Sequence, residues 1–373
     1  MRSLVAVVLL AGCYSPRPPA GAPCAAGTCP AGLVCSPATM TCEVTAVNAD
    51  AGSPDVAADA RIDADTTTFR HRRRITIRNN SNATMPAGFT IDVPFAALAN
   101  LVSTGNVNAD FSDLRVIGDS VGERDRIVDP PAGPAPAAFH FSLGASIAAG
   151  ATSSEYAVYY MDPQAGAAPA DGTRVFAVYD DFTSGISNVW MKHDVPATSG
   201  GKLVLHAGHT DAIPTTASTD NIPLTSAISL IANVPNPDSD STTQPDGTFW
   251  YWFGYQHTGD FNASDPWVVW IARGRSAVGA EQKSPVGCES GCQPTPGTQD
   301  TAPHYYRIER DPGASRFYRD AAAPITINVQ NTEDYSLMVR NYMATSDLDV
   351  DWVRGQARVT PDPTITLGAE EDL

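Results

Sequence analysis

Arg174-Val175-Phe176-Ala177-Val178-Tyr179-Asp180-Asp181-Phe182 is the stretch on which both halves of this chain turn. On its N-terminal side, short alternating segments end in Tyr159-Tyr160-Met161-Asp162-Pro163 and a bridge of small residues. On its C-terminal side, longer aromatic segments run to a last strand at 348–353. The stretch reads as the joint between two β-sandwiches and as the first strand of the second. Composition agrees: of 373 residues, 29 are Gly and 30 are Pro, which punctuate short strands and break long helices. After the leader, no stretch shows the i, i+3, i+4, i+7 spacing of an amphipathic helix. The expected fold class is all-β, with two antiparallel β-sandwiches in tandem, a smaller one and then a jelly roll, after a disulfide-rich stretch and a disordered tether.

A formal charge of -17 favours solubility and argues against a nucleic-acid or anionic-membrane surface. The basic run Arg70-His71-Arg72-Arg73-Arg74 reads as the entry to a strand whose alternate residues face solvent. At the start, Met1-Arg2-Ser3 precedes the apolar run Leu4-Val5-Ala6-Val7-Val8-Leu9-Leu10, too short to span a bilayer. It closes in Leu10-Ala11-Gly12-Cys13, which resembles the lipobox of bacterial lipoproteins. The resemblance implies a signal peptide over 1–12, cleavage before Cys13, and lipid on that cysteine holding the chain at the bacterial envelope, at the outer membrane or cell surface.

The chain has 7 cysteines, an odd count that needs a reason in an exported protein. With Cys13 given to lipid, Cys24, Cys29, Cys35 and Cys42 form a cluster within 13–42, and Cys288 and Cys292 flank a three-residue loop. In an oxidising compartment these read as disulfides, since the cluster lacks the paired C-x-x-C knuckles of a zinc site. Its pairing has three possibilities. From 43 to 68 the chain is Ala, Asp, Thr and Pro with one-signed charge, an extended linker without the glycine and closing glutamate of a calcium loop.

From Phe69 the pattern becomes strand-like. Core faces are expected at Ile75/Ile77, Ile91/Val93, Phe139/Phe141 and one side of Tyr156-Ala157-Val158-Tyr159-Tyr160. Arg72-Arg73-Arg74-Ile75-Thr76-Ile77, Met85-Pro86-Ala87-Gly88-Phe89, Phe111-Ser112-Asp113-Leu114-Arg115-Val116, Ile147-Ala148-Ala149-Gly150-Ala151-Thr152 and Val158-Tyr159-Tyr160 together resemble a bacterial surface family, domain of unknown function 2341. The resemblance sets a first domain at 69–165 and implies no chemistry. It departs where that family has an aromatic-acidic Trp-Ile-Glu strand, and this chain has Arg126-Ile127-Val128-Asp129.

The second half carries Tyr179-Asp180-Asp181-Phe182, then Tyr306-Arg307-Ile308-Glu309-Arg310 turning through Asp311-Pro312-Gly313 into Arg316-Phe317-Tyr318, and Val350-Asp351-Trp352-Val353-Arg354. Pro363-Thr364-Ile365-Thr366-Leu367-Gly368 follows as an exit. In this order they resemble the concanavalin A-like lectin/glucanase jelly roll, spanning 174–371. The resemblance implies that the first and last strands of the fold lie side by side.

Glucanases of that fold place three acids on one strand. This chain offers Asp347-x-Asp349-x-Asp351, which has the parity but no glutamate, on the closing strand. Leu348, Val350 and Trp352 are expected in the core, with the acids in solvent. A structural calcium site from Asp180, Asp181 and Asp351 is conceivable at the joint, although no calcium motif is present. Aromatic strands are the stronger lead, because flat rings stack under sugars. Trp250 and Trp252 share one side of a strand and Tyr255 the other, while Trp267 and Trp270 have opposite parity. Trp250, Trp252, Tyr255, Trp267 and Trp270 are therefore the candidate ligand-binding set, against the alternative that they fill the core. The reading favours a non-catalytic, carbohydrate-binding or adhesive surface lipoprotein with an extracellular or cell-wall glycan as partner and no catalytic residue. The alternatives are a polysaccharide-degrading glycoside hydrolase and a structural scaffold.

Overall fold

The computed structural model describes residues 33–36, 41–44, 66–94, 101, 105–108, 111–130, 133–162, 164–187, 190–193, 196–206, 208–214, 225–233, 250–256, 267–273, 279–283, 293–294, 302–328, 336–344 and 347–373. The chain divides into two compact units, Met1–Arg61 and Ile62–Leu373. In the first unit, Leu33–Ser36 pairs antiparallel with Thr41–Val44 in a register that sets Cys35 opposite Cys42. Cys13, Cys24, Cys29, Cys288 and Cys292 lie outside the described residues, as do the leader and most of the acidic linker. Among the described residues no helix is long and apolar enough to cross a membrane.

The second unit is built of β-sheets arranged as two antiparallel sandwiches. The smaller sandwich packs a five-stranded sheet on a three-stranded one. The three-stranded sheet runs Thr90–Pro94, Ala138–Ser142, Arg126–Asp129. In the five-stranded sheet, His71–Arg78 lies beside Thr152–Tyr160. Period-2 alternation fills the space between the sheets: Ile75, Ile77, Ile91, Val93, Phe139, Phe141, Tyr156, Val158 and Tyr160 are all buried in one cluster. The basic run enters this sheet, and two of its arginines meet acids at the surface, Arg72 with Glu371 at 2.7 Å and Arg74 with Asp119 at 2.5 Å.

One element crosses the expected boundary. The strand Thr364–Asp372, read from sequence as the exit of the jelly roll, pairs with His71–Arg78 and forms the edge of the five-stranded sheet. Its Ile365 and Leu367 pack on the core of the first sandwich. The chain thus leaves the smaller sandwich, builds the larger one and returns to complete the smaller.

The larger sandwich faces an eight-stranded sheet against a seven-stranded one. Val178–Asp180 pairs with Leu348–Ala357, so the opening strand of this sandwich lies against its closing strand. The core between the sheets holds Leu203, Leu205, Ile228, Leu230, Phe253, Trp270, Tyr306, Ile308, Leu337, Val339, Leu348 and Val350 among others. Its aromatic members meet edge to face, as with Trp270 against Phe317 at 5.6 Å and 87°.

Candidate ligand cleft between the sandwiches

The site begins with one extra residue. Along Leu348–Ala357, Leu348 and Val350 face the core. The register against Ser226–Asn233 then shifts: Val350 lies opposite Ala232, but Trp352 lies opposite Ile231. Asp351 is the surplus residue of a β-bulge, and beyond it Val353 takes the core position. Trp352, Arg354 and Gln356 consequently stand on the outer face of the eight-stranded sheet, where Trp352 packs with Ile231, Tyr305 and Ala135. This corrects the expectation that Trp352 is a core residue.

The outer face meets the three-stranded sheet of the smaller sandwich through a chain of charges. His140 sits between two carboxylates, with Nδ1 2.8 Å from Asp92 Oδ1 and Nε2 2.9 Å from Asp129 Oδ2. From the other sandwich, Arg354 Nη1 donates to both Asp129 oxygens at 2.8 Å, and Gln356 Nε2 donates to Asp92 Oδ2 at 2.9 Å. Burial alone would raise both carboxyls, but the bonds from His140 and the charges of Arg354 and Arg307 outweigh it and hold Asp92 and Asp129 below their ordinary range. Burial alone would lower His140, and its bonds to the two carboxylates outweigh that and raise it.

The stretch around Tyr179 supplies the third wall. Asp171 caps the short helix Gly172–Val175, and any Cβ at Gly172 would collide with the Tyr179 ring. Tyr179 stacks on Phe176 at 5.9 Å and 8°. Phe176 and Trp352 in turn flank the Arg354 guanidinium, at 5.1 Å and 3.8 Å. Burial and the neighbouring Asp181 push the Tyr179 phenol up to about 12, so it stays a neutral hydroxyl.

Between these walls lies a cleft of about 510 Å³, lined by Arg126, Asp129, Tyr179, Asp181, Trp352 and Arg354 together with apolar residues of both sandwiches. Its size falls within the roughly 300–1,000 Å³ of small-ligand sites, and it combines flat rings with fixed donors and acceptors. Two of its walls come from features that sequence reading set aside: the joint stretch itself, and the Arg126–Asp129 strand where the family resemblance departs.

Other expected site residues fall elsewhere. Tyr255 and Trp270 are wholly buried between the sheets, which removes them from the candidate ligand-binding set. Aromatic content marks a large apolar surface but does not say which face of a sheet it covers. The side chains of Trp250, Trp252 and Trp267 lie outside the described residues. Asp180, Asp181 and Asp351 do not assemble as a calcium site. Asp180 is buried and accepts from Phe182 N, Ser187 N and Oγ, and Trp190 Nε1, the last at 2.7 Å. Asp181 accepts from Thr183 N and Oγ1, and Asp351 pairs with Lys202 at 2.8 Å. Among the described residues, the one set of three metal-type side chains that brings a ligand atom from each within 4.8 Å of the others is His71, Glu370 and Asp372, at the strand edge of the smaller sandwich.

The carboxylates also bear on catalysis. A glycosidase acid must hold its proton near neutrality. Asp92, Asp129 and Glu309 are all held low against burial by their His and Arg neighbours. In the Asp347, Asp349, Asp351 series, Asp349 is raised by partial burial and its like-charged neighbours against the pull of Lys202. All three lie on a single strand, and His206 and Lys202 hold the outer two.

No protein-family model matches the chain, and no curated relative matches it. Solved structures similar to it include a Bacillus licheniformis β-glucanase, at 14% identity, covering 48% of this chain and 98% of that one with a TM-score of 0.38. An endo-acting O-glycanase of human gut microbiota aligns at 11% identity over 49% of this chain and 99% of that one, with a TM-score of 0.36. A pseudo β-1,3-glucanase of Mycobacterium tuberculosis aligns at 13% identity over 49% and 98%, with a TM-score of 0.35. The structure neighbours are glucanase-like jelly rolls, and they cover about half of this chain.

Proposed function

We propose that this chain is a non-catalytic glycan-binding protein of the bacterial envelope, held there by lipid on Cys13, and that the cleft between its sandwiches takes the ligand. The observation that carries the reading is the pairing of Trp352 and Tyr179 with Arg354, Asp129 and Asp181 around one cavity. Rings of this kind cover the apolar face of a sugar, and groups locked by their own partners fix its hydroxyls without reorganising. Carboxylates held low accept hydrogen bonds but do not supply the proton that glycosidic cleavage needs. Export to an oxidising compartment goes with disulfides among Cys24, Cys29, Cys35, Cys42, Cys288 and Cys292, and the hairpin register favours Cys35 with Cys42.

The test is a glycan array followed by isothermal titration with the full chain. Trp352→Ala should weaken any glycan found by at least about tenfold, the scale of a lost anchor residue, while Trp250→Ala and Trp252→Ala leave it unchanged. Loss of binding in the Trp250 and Trp252 variants alone would move the site to the seven-stranded sheet. Release of reducing ends from a bound polysaccharide would overturn the non-catalytic part.

A further inference from the structure

We propose that His71, Glu370 and Asp372 form a site for a divalent transition-metal ion, best matched by Zn2+, which clips the returning strand Thr364–Asp372 onto His71–Arg78. The site is separate from the cleft and does not depend on what the cleft binds. Asp372 stands directly opposite His71 in the antiparallel register, and Glu370 lies two residues before it. Alternation puts residues 370 and 372 on one face of their strand, and the cross-strand partner 71 on the same face. One ligand atom from each of the three side chains lies within 4.8 Å of the other two. His71 Nδ1 is 2.9 Å from Asp372 Oδ1 and 3.7 Å from Glu370 Oε1. Around a tetrahedral zinc with bonds of about 2.0–2.2 Å, ligand atoms sit about 3.3–3.6 Å apart. The Asp372 side chain is 90% exposed and free to take up the difference.

Two observations separate this group from a surface cluster of acids. The first is that its contacts are unfinished. His71 Nδ1 is buried and makes no hydrogen bond although Asp372 is 2.9 Å away, so the two atoms are close without the alignment of N–H···O. A shared cation relieves such a contact. Among the described residues no Lys or Arg pairs with Glu370 or Asp372; Arg72 takes Glu371, and Arg73, opposite Glu370, leaves its Nε without an acceptor. The second is that one residue holds two of the ligands from behind. The Tyr160 hydroxyl donates to Glu370 Oε2 at 2.5 Å, which leaves Oε1 as the oxygen nearest His71. The Tyr160 ring also stacks with the His71 imidazole, at 5.8 Å and 24°. Support of this kind, acting through atoms that do not ligate, orients the ligands of a metal site. One imidazole nitrogen with two carboxylate oxygens suits Zn2+ with a water in the fourth position. Ca2+ and Mg2+ instead call for six or more oxygen ligands.

The experiment titrates the metal-stripped full chain with Zn2+, Ca2+ and Mg2+ at pH 7.5 by calorimetry, with urea denaturation in parallel. Zn2+ should bind more tightly than Ca2+ or Mg2+ and raise the denaturation midpoint, because an ion held only by the folded chain stabilises it. His71→Ala should remove that binding. Asp372→Asn, at a side chain too exposed to disturb folding, should weaken it about tenfold or more. Tyr160→Phe keeps the ring stack and loses the hydroxyl, and should weaken it by about 10–100-fold. Zn2+ uptake with the same affinity and the same midpoint shift in His71→Ala and Asp372→Asn would place the ion elsewhere, such as on the cysteines, and overturn the proposal. Absence of Zn2+ binding, or tighter binding of Ca2+ or Mg2+, would overturn it as well.

Discussion

His140 shows how one imidazole joins two sandwiches. It belongs to the smaller sandwich, its two carboxylates are gripped by Arg354 and Gln356 of the larger, and the Phe176 ring lies 5.4 Å away. The signs of the pKa shifts fix how this junction responds to pH. His140 is raised, so its contribution is fully present below the ordinary histidine value and is lost as pH rises through its folded value. Asp92 and Asp129 are lowered, so theirs is present above the ordinary carboxylate value and is lost as pH falls through their folded values. Stability from this network therefore peaks between about pH 4 and 6.5 and declines on the alkaline side. Urea denaturation of the full chain at a series of pH values from about 6 upward should show the decline, and His140→Gln should flatten it. His140→Ala, which strips two buried carboxylates of a shared partner, should cost about 3–5 kcal/mol. Identical alkaline limbs in the parent and His140→Gln would show that the imidazole does not carry the effect.

At the scale of the element, the decisive feature is the bulge at Asp351. Deleting Asp351 restores simple alternation, with Val350 in, Trp352 out and Val353 in, so the core should be preserved. The expected loss is the partly exposed Lys202 ion pair, within about 1 kcal/mol, with glycan binding kept. A loss of about 2–5 kcal/mol, the scale of a cavity in the core, would mean that the strand runs regularly and that the deletion inverted its faces. The same bulge marks the limit of what the sequence could tell. Ile75, Ile77, Phe139 and Phe141 were legible as core because nothing interrupts their period of two. Pairing of Val178–Asp180 with the closing strand was legible through the resemblance to the jelly roll. Trp352 was not legible, because a single surplus residue leaves no mark in composition yet reverses every face beyond it. Nor was the cleft, whose walls come from residues 126, 179 and 352, brought together only by the docking of one sandwich on the other.

For the molecule as a whole, the return of the chain matters more than the count of domains. Thr364–Asp372 closes the sheet that His71–Arg78 helps to begin, Leu373 N donates to the Arg70 carbonyl, and the Tyr160 hydroxyl donates to Glu370 at 2.5 Å. The larger sandwich is in effect inserted between the nine-residue strand Thr152–Tyr160 and this last strand of the smaller one. Two covalent crossings restrain its rotation where one would leave it hinged, and a cleft whose walls belong to both sandwiches needs that restraint to keep its shape. Truncation after residue 363 should therefore act at two levels. The smaller sandwich loses the Ile365 and Leu367 contacts, about 2–4 kcal/mol, and His71–Arg78 becomes an open edge that invites pairing between chains. Size-exclusion chromatography should then show association, and titration should show weakened glycan binding even though every residue lining the cleft is still present. A monomeric truncated chain with unaltered denaturation midpoint and unaltered affinity would mean that the last strand decorates the sheet, and that the docking of the two sandwiches rests on the Asp92–His140–Asp129–Arg354 network alone.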